Sequence, residues 1–383
     1  MTHTRVEFFR HDLGETEIRS VARALKGVFL TAGPLTQKFE ASFAQFLDCR
    51  SVVGTWSCTA ALFLVLKALD IGEGDEVLTT PMTFIATPNA ILEAGATPVF
   101  LDVEETTGNM NAELIERAIG PKTKAIMPVH LYGHMCDMKR MRDIADRHGL
   151  FLIEDAAHCI EGERDGIRPG QLSDAACFSF YATKNMTSGE GGAIATNDPV
   201  LAKKLRLLRS HGMNKEAAGR YSGTYQHWDM LCMGYKANMF DIQAALLLPQ
   251  VSKIEENLKK RRTVYQRYVK EFGAMAGIGF PKILPRTTHA HHLFTLWVHP
   301  LIRDAFTEKL QEQGIGVAVN YRPVHLLSYY RRTFDFREGM FPEAESIGGS
   351  TISLPFYPQL REKATSRVIE TVQRVAGELA PGS

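Results

Sequence analysis

The side chains in this 383-residue chain that could carry covalent chemistry gather in a few short stretches, and the most telling of them is a lysine. Lys184 stands in SFYATKNMTSGEGGAIAT, residues 179–196, between an apolar run that reads as a buried strand and a glycine turn leading into another strand. An amine so placed either snorkels to solvent from a strand end or is kept partly desolvated. In the second case it is a nucleophile able to form a Schiff base with a carbonyl. In LIEDAAH, residues 152–158, an apolar run ends in Glu154, Asp155 and His158. A carboxylate there needs a cationic or donor partner, which a pyridinium nitrogen or a salt bridge at the sheet edge would equally supply. GTWSCTAAL, residues 54–62, places Ser57, Cys58 and Thr59 at the start of an apolar helix. They either cradle a phosphate on the free N–H groups or simply cap the helix. Phe84, in PMTFIATPNA, is a ring to stack on or a core residue.

The elements that must position these groups alternate from about residue 51. SVVG, EVLTT, TPVFLDV, AIMPVHLY, LFLIEDAAH and CFSFY read as strands, and TAALFLVLKAL, FIATPNAILEAG, NAELIERAIG and KRMRDIADRHG read as helices between them. This is the pattern of an α/β domain on a largely parallel sheet, whose ligands bind at the carboxyl ends of the strands. After the GGAIAT strand and a helix around LAKKLRLLRSHG comes the polar stretch MNKEAAGRYSGTYQHWD, residues 213–229, expected to be a long functional loop. DIQAALLLPQVSKIEENLKKRRTVYQRYVKEFG reads as a long linking helix that Pro249 kinks or breaks. HLFTLWV (strand), RDAFTEKLQEQ (helix), GVAVNY (strand) and a closing helix then suggest a smaller α/β domain. The expected division is a large domain over 12–250, a small one over 251–383, and an arm over 1–11.

A net charge of +1 gives no field for nucleic acid or a membrane surface, and KKRR at 259–262 reads as a solvated helix face. Neither a signal segment nor an apolar run of about 18 residues is present, which points to a cytoplasmic protein. The six cysteines form no CxxC pair, so neither disulfides nor a structural zinc are expected. His130, His134 and Cys136 lack the further ligands that a metal site requires.

A phosphate cup, an aromatic ring, a carboxylate and a lysine at strand ends of one sheet together are what pyridoxal 5'-phosphate (PLP) demands. GPLTQKFEASFAQFL, GTWSCTAALFLVLKAL, GDEVLTTPMTFIATPNAILEAGATPVFLDV, IEDAAHCIEG, SFYATKNMTSGEGGAIAT, GYKANMFDIQAAL, YRPVHLLSYY and SLPFYP, in this order from about residue 31 to 358, resemble the DegT/DnrJ/EryC1/StrS family of sugar aminotransferases. The resemblance implies a fold type I PLP-dependent transferase, with a large seven-stranded, mostly parallel sheet domain and a smaller C-terminal α/β domain. It makes Lys184 the Schiff-base lysine and Asp155 the partner of the ring nitrogen, with Phe84 stacked on the ring and His158 beside its phenolic oxygen. Cys58, Thr59 and Ser179, with Ser57, would hold the phosphate.

In GYKANMFD, Asn238 matches the asparagine by which relatives reach the phosphate of a neighbouring subunit, while Lys236 stands where another form of the motif has asparagine. In YRPVHLL, Tyr321, Arg322 and His325 are candidates for the substrate pocket, and Asn320 replaces a histidine common in relatives. The implied function is transfer of an amino group from an amino acid, expected to be L-glutamate, to a nucleotide-linked keto sugar in two half-reactions. His158 resembles the branch that aminates C4. A homodimer with shared sites is implied as well. The related dehydratases carry histidine in place of Lys184. An aminocyclitol aminotransferase and a non-catalytic binding protein are the other readings.

Overall fold

The structure, a computed structural model, describes residues 5–215 and 227–379, so most of the polar stretch at 213–229 lies outside the described residues. In chain order the strands are β1 (Ser51–Thr55), β2 (Glu76–Thr79), β3 (Thr97–Phe100), β4 (Thr123–Ile126), β5 (Phe151–Asp155), β6 (Glu163–Arg164), β7 (Ala175–Ser179), β8 (Gly192–Thr196), β9 (Thr287–Thr288), β10 (Thr295–Trp297) and β11 (Thr351–Ser353). Seven of them form one sheet in the order β1-β8-β7-β5-β4-β2-β3. β8 is antiparallel to both of its neighbours, and every other pairing is parallel. Six strands therefore end at one edge, and the chemistry-bearing stretches all follow those ends.

Both faces of the sheet are covered, which is why its strands read as nearly continuous apolar runs. On one face the helix Cys58–Ala68 packs Ala61, Leu62, Leu64 and Val65 against Val53, Val77, Ala125, Ile153 and Ile194. Other helices flank it, so its apolar residues run all round it rather than along one stripe. On the other face Phe39, Phe43 and Leu47 of the helix Pro34–Leu47 meet Phe178, Phe180 and Ala195. That helix is capped from far along the chain. The buried carboxylate of Asp241 accepts hydrogen bonds from Gly33 N at 2.8 Å, Thr36 N at 2.9 Å and Thr36 Oγ1 at 2.7 Å. A second clamp fixes the end of β1. Buried Arg209 pairs with Glu40 and donates to Gly54 O at 2.9 Å, while Gly54 N donates to Glu40 Oε1 at 2.9 Å.

A separate apolar cluster draws Val264, Tyr268 and Phe272 from the helix Ile254–Phe272, Phe306 and Leu310 from Pro300–Glu312, and Val368 and Val372 from Glu362–Leu379. Residue Val6 joins it. Its N–H donates to Gly314 O at 2.9 Å and its carbonyl accepts from Gly316 N at 2.8 Å, so this early segment lies as an added strand beside Ile315.

Several local readings change in three dimensions. The linking helix does break: Asp241–Val251 ends two residues after Pro249, and a new helix begins at Ile254. GVAVNY forms no strand, only an isolated bridge from Ala318 to Ser353. NAELIERAIG shortens to a 3₁₀ turn, Ala112–Leu114, and one helical turn, Ile115–Ala118. Arg261 of KKRR is not solvated: its side chain is 2% exposed and ion-paired with Glu161.

The sheet edge leaves no room at Gly192, the first residue of β8, which pairs with both Thr55 and Ser179. A Cβ there would lie 2.4 Å from the Ser57 carbonyl carbon and oxygen and 2.6 Å from Cys58 N. Gly192→Ala should therefore lose about 1–3 kcal/mol of stability and loosen the helix start at Cys58, read as a lower melting temperature together with weaker PLP binding.

Candidate active site

β5 delivers two acids to the sheet edge, and strand alternation sends them to opposite sides. Glu154 turns inward and is consumed there: its Oε2 meets His130 Nε2 at 2.6 Å, and its Oε1 accepts from Gly170 N at 2.7 Å. Asp155 faces the cleft at 5% exposure, its backbone held by Asp155 N to Pro128 O at 2.9 Å. Its carboxylate accepts from Thr87 Oγ1 at 2.7 Å and from Ala157 N at 3.1 Å, and the Thr87 hydroxyl is bonded in turn to Thr83 Oγ1 at 2.8 Å. Burial pushes the carboxyl above its usual value, while Thr87, Ala157 and Lys184 pull it down. A carboxylate desolvated on one side and bonded on the other suits a protonated ring nitrogen.

Lys184 sits on the turn after β7, its N–H bonded to Tyr181 O at 2.9 Å. Its side chain is half-buried and lines the cleft, and Nζ makes no hydrogen bond or ion pair with any described residue. Burial lowers the ammonium to about 8, with Asp155 pulling the other way. At about 8 the amine is still mostly protonated at pH 7, but a far larger share of it is neutral and nucleophilic than in a snorkelling lysine of ordinary value.

The helix Cys58–Ala68 points its start into the same cleft. Ser57 Oγ accepts from Ala60 N at 3.1 Å, so this hydroxyl is a helix cap, and it also lines the cleft. The first-turn N–H groups of Cys58 and Thr59 have no intrahelical acceptor and are available to an anion. Burial keeps the Cys58 thiol protonated, so no negative charge opposes a phosphate. Ser179, at the end of β7, completes this wall.

Opposite lies an aromatic rim. Phe84 is 55% exposed, which removes it from the core, and its ring centre is 5.9 Å from that of Tyr321. His158 is buried, with Nδ1 accepting from Tyr132 N at 3.2 Å and Nε2 lying 3.1 Å from Tyr321 Oη. Burial and Lys184 hold the imidazole neutral. With Nδ1 accepting, its proton resides on Nε2 and is donated outward. The cleft, about 520 Å³, is lined by Ser57, Cys58, Thr59, Phe84, Asp155, His158, Ser179, Lys184 and Tyr321, and also by Phe8, Thr87 and Glu190.

Two expected contacts, His325 and Arg322, are not brought into it, and Asn238, expected at a neighbouring subunit's site, lies outside this one. His325 is 0% exposed, bonded through Nε2 to Glu345 Oε1 at 2.9 Å and packed on Phe341, so its polarity serves the interior. Arg322 is exposed and donates to Leu326 O at 3.2 Å. Asn238 bridges Thr55, is 3% exposed, and directs Nδ2 to Thr31 Oγ1 and Met239 O, each at 3.3 Å. Lys236, two residues earlier, is exposed. Sequence reasoning missed Thr87, Thr83 and Phe8. A threonine in a helix start and a phenylalanine far upstream carry no local sign of a site, and only the Asp155 side chain explains Thr87.

Residues 11–373 match the DegT/DnrJ/EryC1/StrS aminotransferase family, and the chain belongs to it. It is 41% identical over 384 residues to the spore coat polysaccharide biosynthesis protein SpsC of Bacillus subtilis, covering 98% of this chain and 99% of that one. Among solved structures it is similar to S. venezuelae DesV, at 36% identity and a TM-score of 0.90, over 97% of this chain and 98% of that one. It is likewise similar to the PLP form of Spr1654 from Streptococcus pneumoniae, at 30% identity and a TM-score of 0.91, over 99% and 100%. The chain is thus a PLP-dependent aminotransferase of the sugar-modifying kind.

Asp155→Asn separates the two consequences of this burial. The amide fits, since Thr87 can accept where it donated, and it carries no charge to desolvate. A carboxyl whose folded value is raised costs stability once ionised, and that cost fades as pH falls through the raised value toward 3.8. The cofactor-free variant should therefore melt higher than wild type at pH 7–8, the gap closing toward pH 4, while turnover drops by about 10²-fold or more.

Proposed function

We propose that this member of the DegT/DnrJ/EryC1/StrS family moves the amino group of L-glutamate to the ketone at C4 of a nucleotide-linked sugar. The observation that carries the reading is one cleft holding a desolvated lysine amine without an ion-pair partner opposite a buried carboxylate. The similarity to SpsC, a spore coat polysaccharide biosynthesis protein, supports a sugar as acceptor. His158, by its resemblance to one branch of the family, supports C4.

The chain's own groups divide the work. PLP, when bound, supplies an electrophilic carbon and a ring that takes up the electrons of a bond broken beside it. Asp155 would keep a proton on the ring nitrogen, so that this charge would be absorbed within the site. Lys184 would hold the cofactor until the donor amine takes its place and would then, in its neutral form, serve as the base for the proton on the donor's Cα. The same amine would then hold that proton for its return. The N–H groups of Cys58 and Thr59 fix the phosphate, so Lys184 and the reacting carbon stay in register. His158, whose Nε2 lies 3.1 Å from Tyr321 Oη, would stand beside the ring, and Phe84 would cover a face of it. In the second half-reaction the sequence runs backward on the keto sugar. Amino nitrogen and carbonyl oxygen change owners, giving 2-oxoglutarate and an amino sugar with no external oxidant.

The site belongs, in this reading, to a homodimer. Trp56, Leu30 and Phe240 are 41%, 48% and 37% exposed. Their segments adjoin through Trp56 N to Ala237 O at 3.1 Å and Asp241 N to Thr31 O at 3.2 Å. Together they form an apolar surface beside the phosphate end of the cleft, which a second copy would cover. Exposed Lys236 is better placed than buried Asn238 to reach across it. The six free cysteines suit the reducing cytoplasm, and among the described residues no helix is long and apolar enough to cross a membrane.

The test is the absorption spectrum of the PLP-loaded protein before and after L-glutamate. The cofactor's visible band should fade to that of the pyridoxamine form with one 2-oxoglutarate per site, and Lys184→Ala should show no turnover. A band that glutamate leaves untouched would remove glutamate as donor. Light scattering on the same sample should give twice the mass of the chain, and a monomer would refute the shared site.

A further inference from the structure

Residue Lys184 is followed by an asparagine whose side chain has no part in the chemistry above, yet it is bonded on every side. Asn185 Nδ2 donates to Glu161 Oε2 at 2.8 Å and to Ala290 O at 2.9 Å, and its Oδ1 faces His292 Nδ1 at 3.2 Å. Both amide hydrogens are thus used, and Oδ1 must accept, which places a proton on His292 Nδ1. The ring of His292 lies 4.3 Å from that of His158, centre to centre.

Behind Asn185, Glu161 makes a close ion pair through Oε1 with Arg261 Nη2, the two side chains being 1% and 2% exposed. Arg261 is in the middle of the helix Ile254–Phe272, whose far end packs into the second apolar cluster. Arg261 also reaches Ala290 O at 3.4 Å. One amide side chain therefore joins the lysine turn, the loop after β5, the segment at 290–292 and a helix anchored in the second core.

We infer that Glu161 and Arg261 are positioning residues, which fix the cofactor-bearing Lys184 through the side chain of Asn185. A buried ion pair gains little over apolar side chains of equal volume, so stability alone does not account for one placed behind the reacting amine. Its use is geometric. The carboxylate can accept from Asn185 with one oxygen while the guanidinium fixes the other, so the lysine turn takes its position from the second core as well as from the sheet. The inference rests on the reading of Lys184 as the residue that binds PLP.

The test compares wild type with Asn185→Ala, which cuts the link but leaves the ion pair, and Arg261→Lys, which keeps the buried charge paired but loses the planar fork. Each PLP-loaded protein is measured for PLP affinity, for the rate of the glutamate half-reaction in a single turnover, and for the pH at which the cofactor's visible band titrates. Asn185→Ala should bind PLP within about threefold of wild type while reacting about 10- to 100-fold more slowly, with the titration displaced by about half a pH unit or more. Arg261→Lys should shift both in the same direction by less. Variants that load PLP and match the wild-type rate within about twofold, with the titration unmoved, would overturn the inference. Arg261→Lys decides alone if Asn185→Ala does not fold. A wild-type protein that shows no PLP band at all would remove the reading of Lys184, and this inference with it.

Discussion

A carboxylate taken out of water must be given donors, a cation or a proton, and the arrangement of the whole sheet edge follows from how Asp155 meets that demand. Thr87 and Ala157 satisfy part of it. They leave the face toward the cleft to be completed by a cation, and Lys184 makes no ion pair with it. In the proposed reading a protonated ring nitrogen would fill the remaining capacity. Because β5 lies between β4 and β7 in a parallel array, the acid, the lysine turn and the threonine-bearing segment after β2 emerge at one edge without any loop having to travel.

The lysine turn and the helix start at Cys58 obey the same economy of position. β8 enters between β1 and β7 and begins at a glycine, so the backbone of Ser57 can lie directly against it. The clamp of Glu40 and Arg209 on Gly54 holds the preceding residues. An anion site made of backbone N–H groups is only as well placed as the helix that carries them, and here that helix is gripped from both the sheet and the chain before it.

The alternation of strands and helices was legible because a sheet covered on both faces writes long apolar runs, and Asp155 and Lys184 stood out because each interrupts one. What escaped was everything decided by a partner distant in sequence. Arg261 sits in a run of cations that looks solvated, and only the facing Glu161 draws it inward. His325 looks like a site residue until Glu345 is seen to occupy it. Thr87 gains a role solely from Asp155, 68 positions away. GVAVNY has strand composition, yet it meets β11 at a single bridge and so never becomes a ladder.

The pairing of Val6 with Ile315 ties an early segment of the chain to one made roughly 300 residues later. At about 5–20 residues per second of synthesis, that interval is about 15 to 60 s. Throughout it Phe8, a wall of the cleft, has no strand to lie beside, although the seven-stranded sheet can already have closed. The sheet edge and the lining of the cleft are thus completed by segments made at different times. A nascent chain stopped before the last quarter would carry Lys184 and Asp155 at a folded sheet edge while the pocket around them was still open on one side.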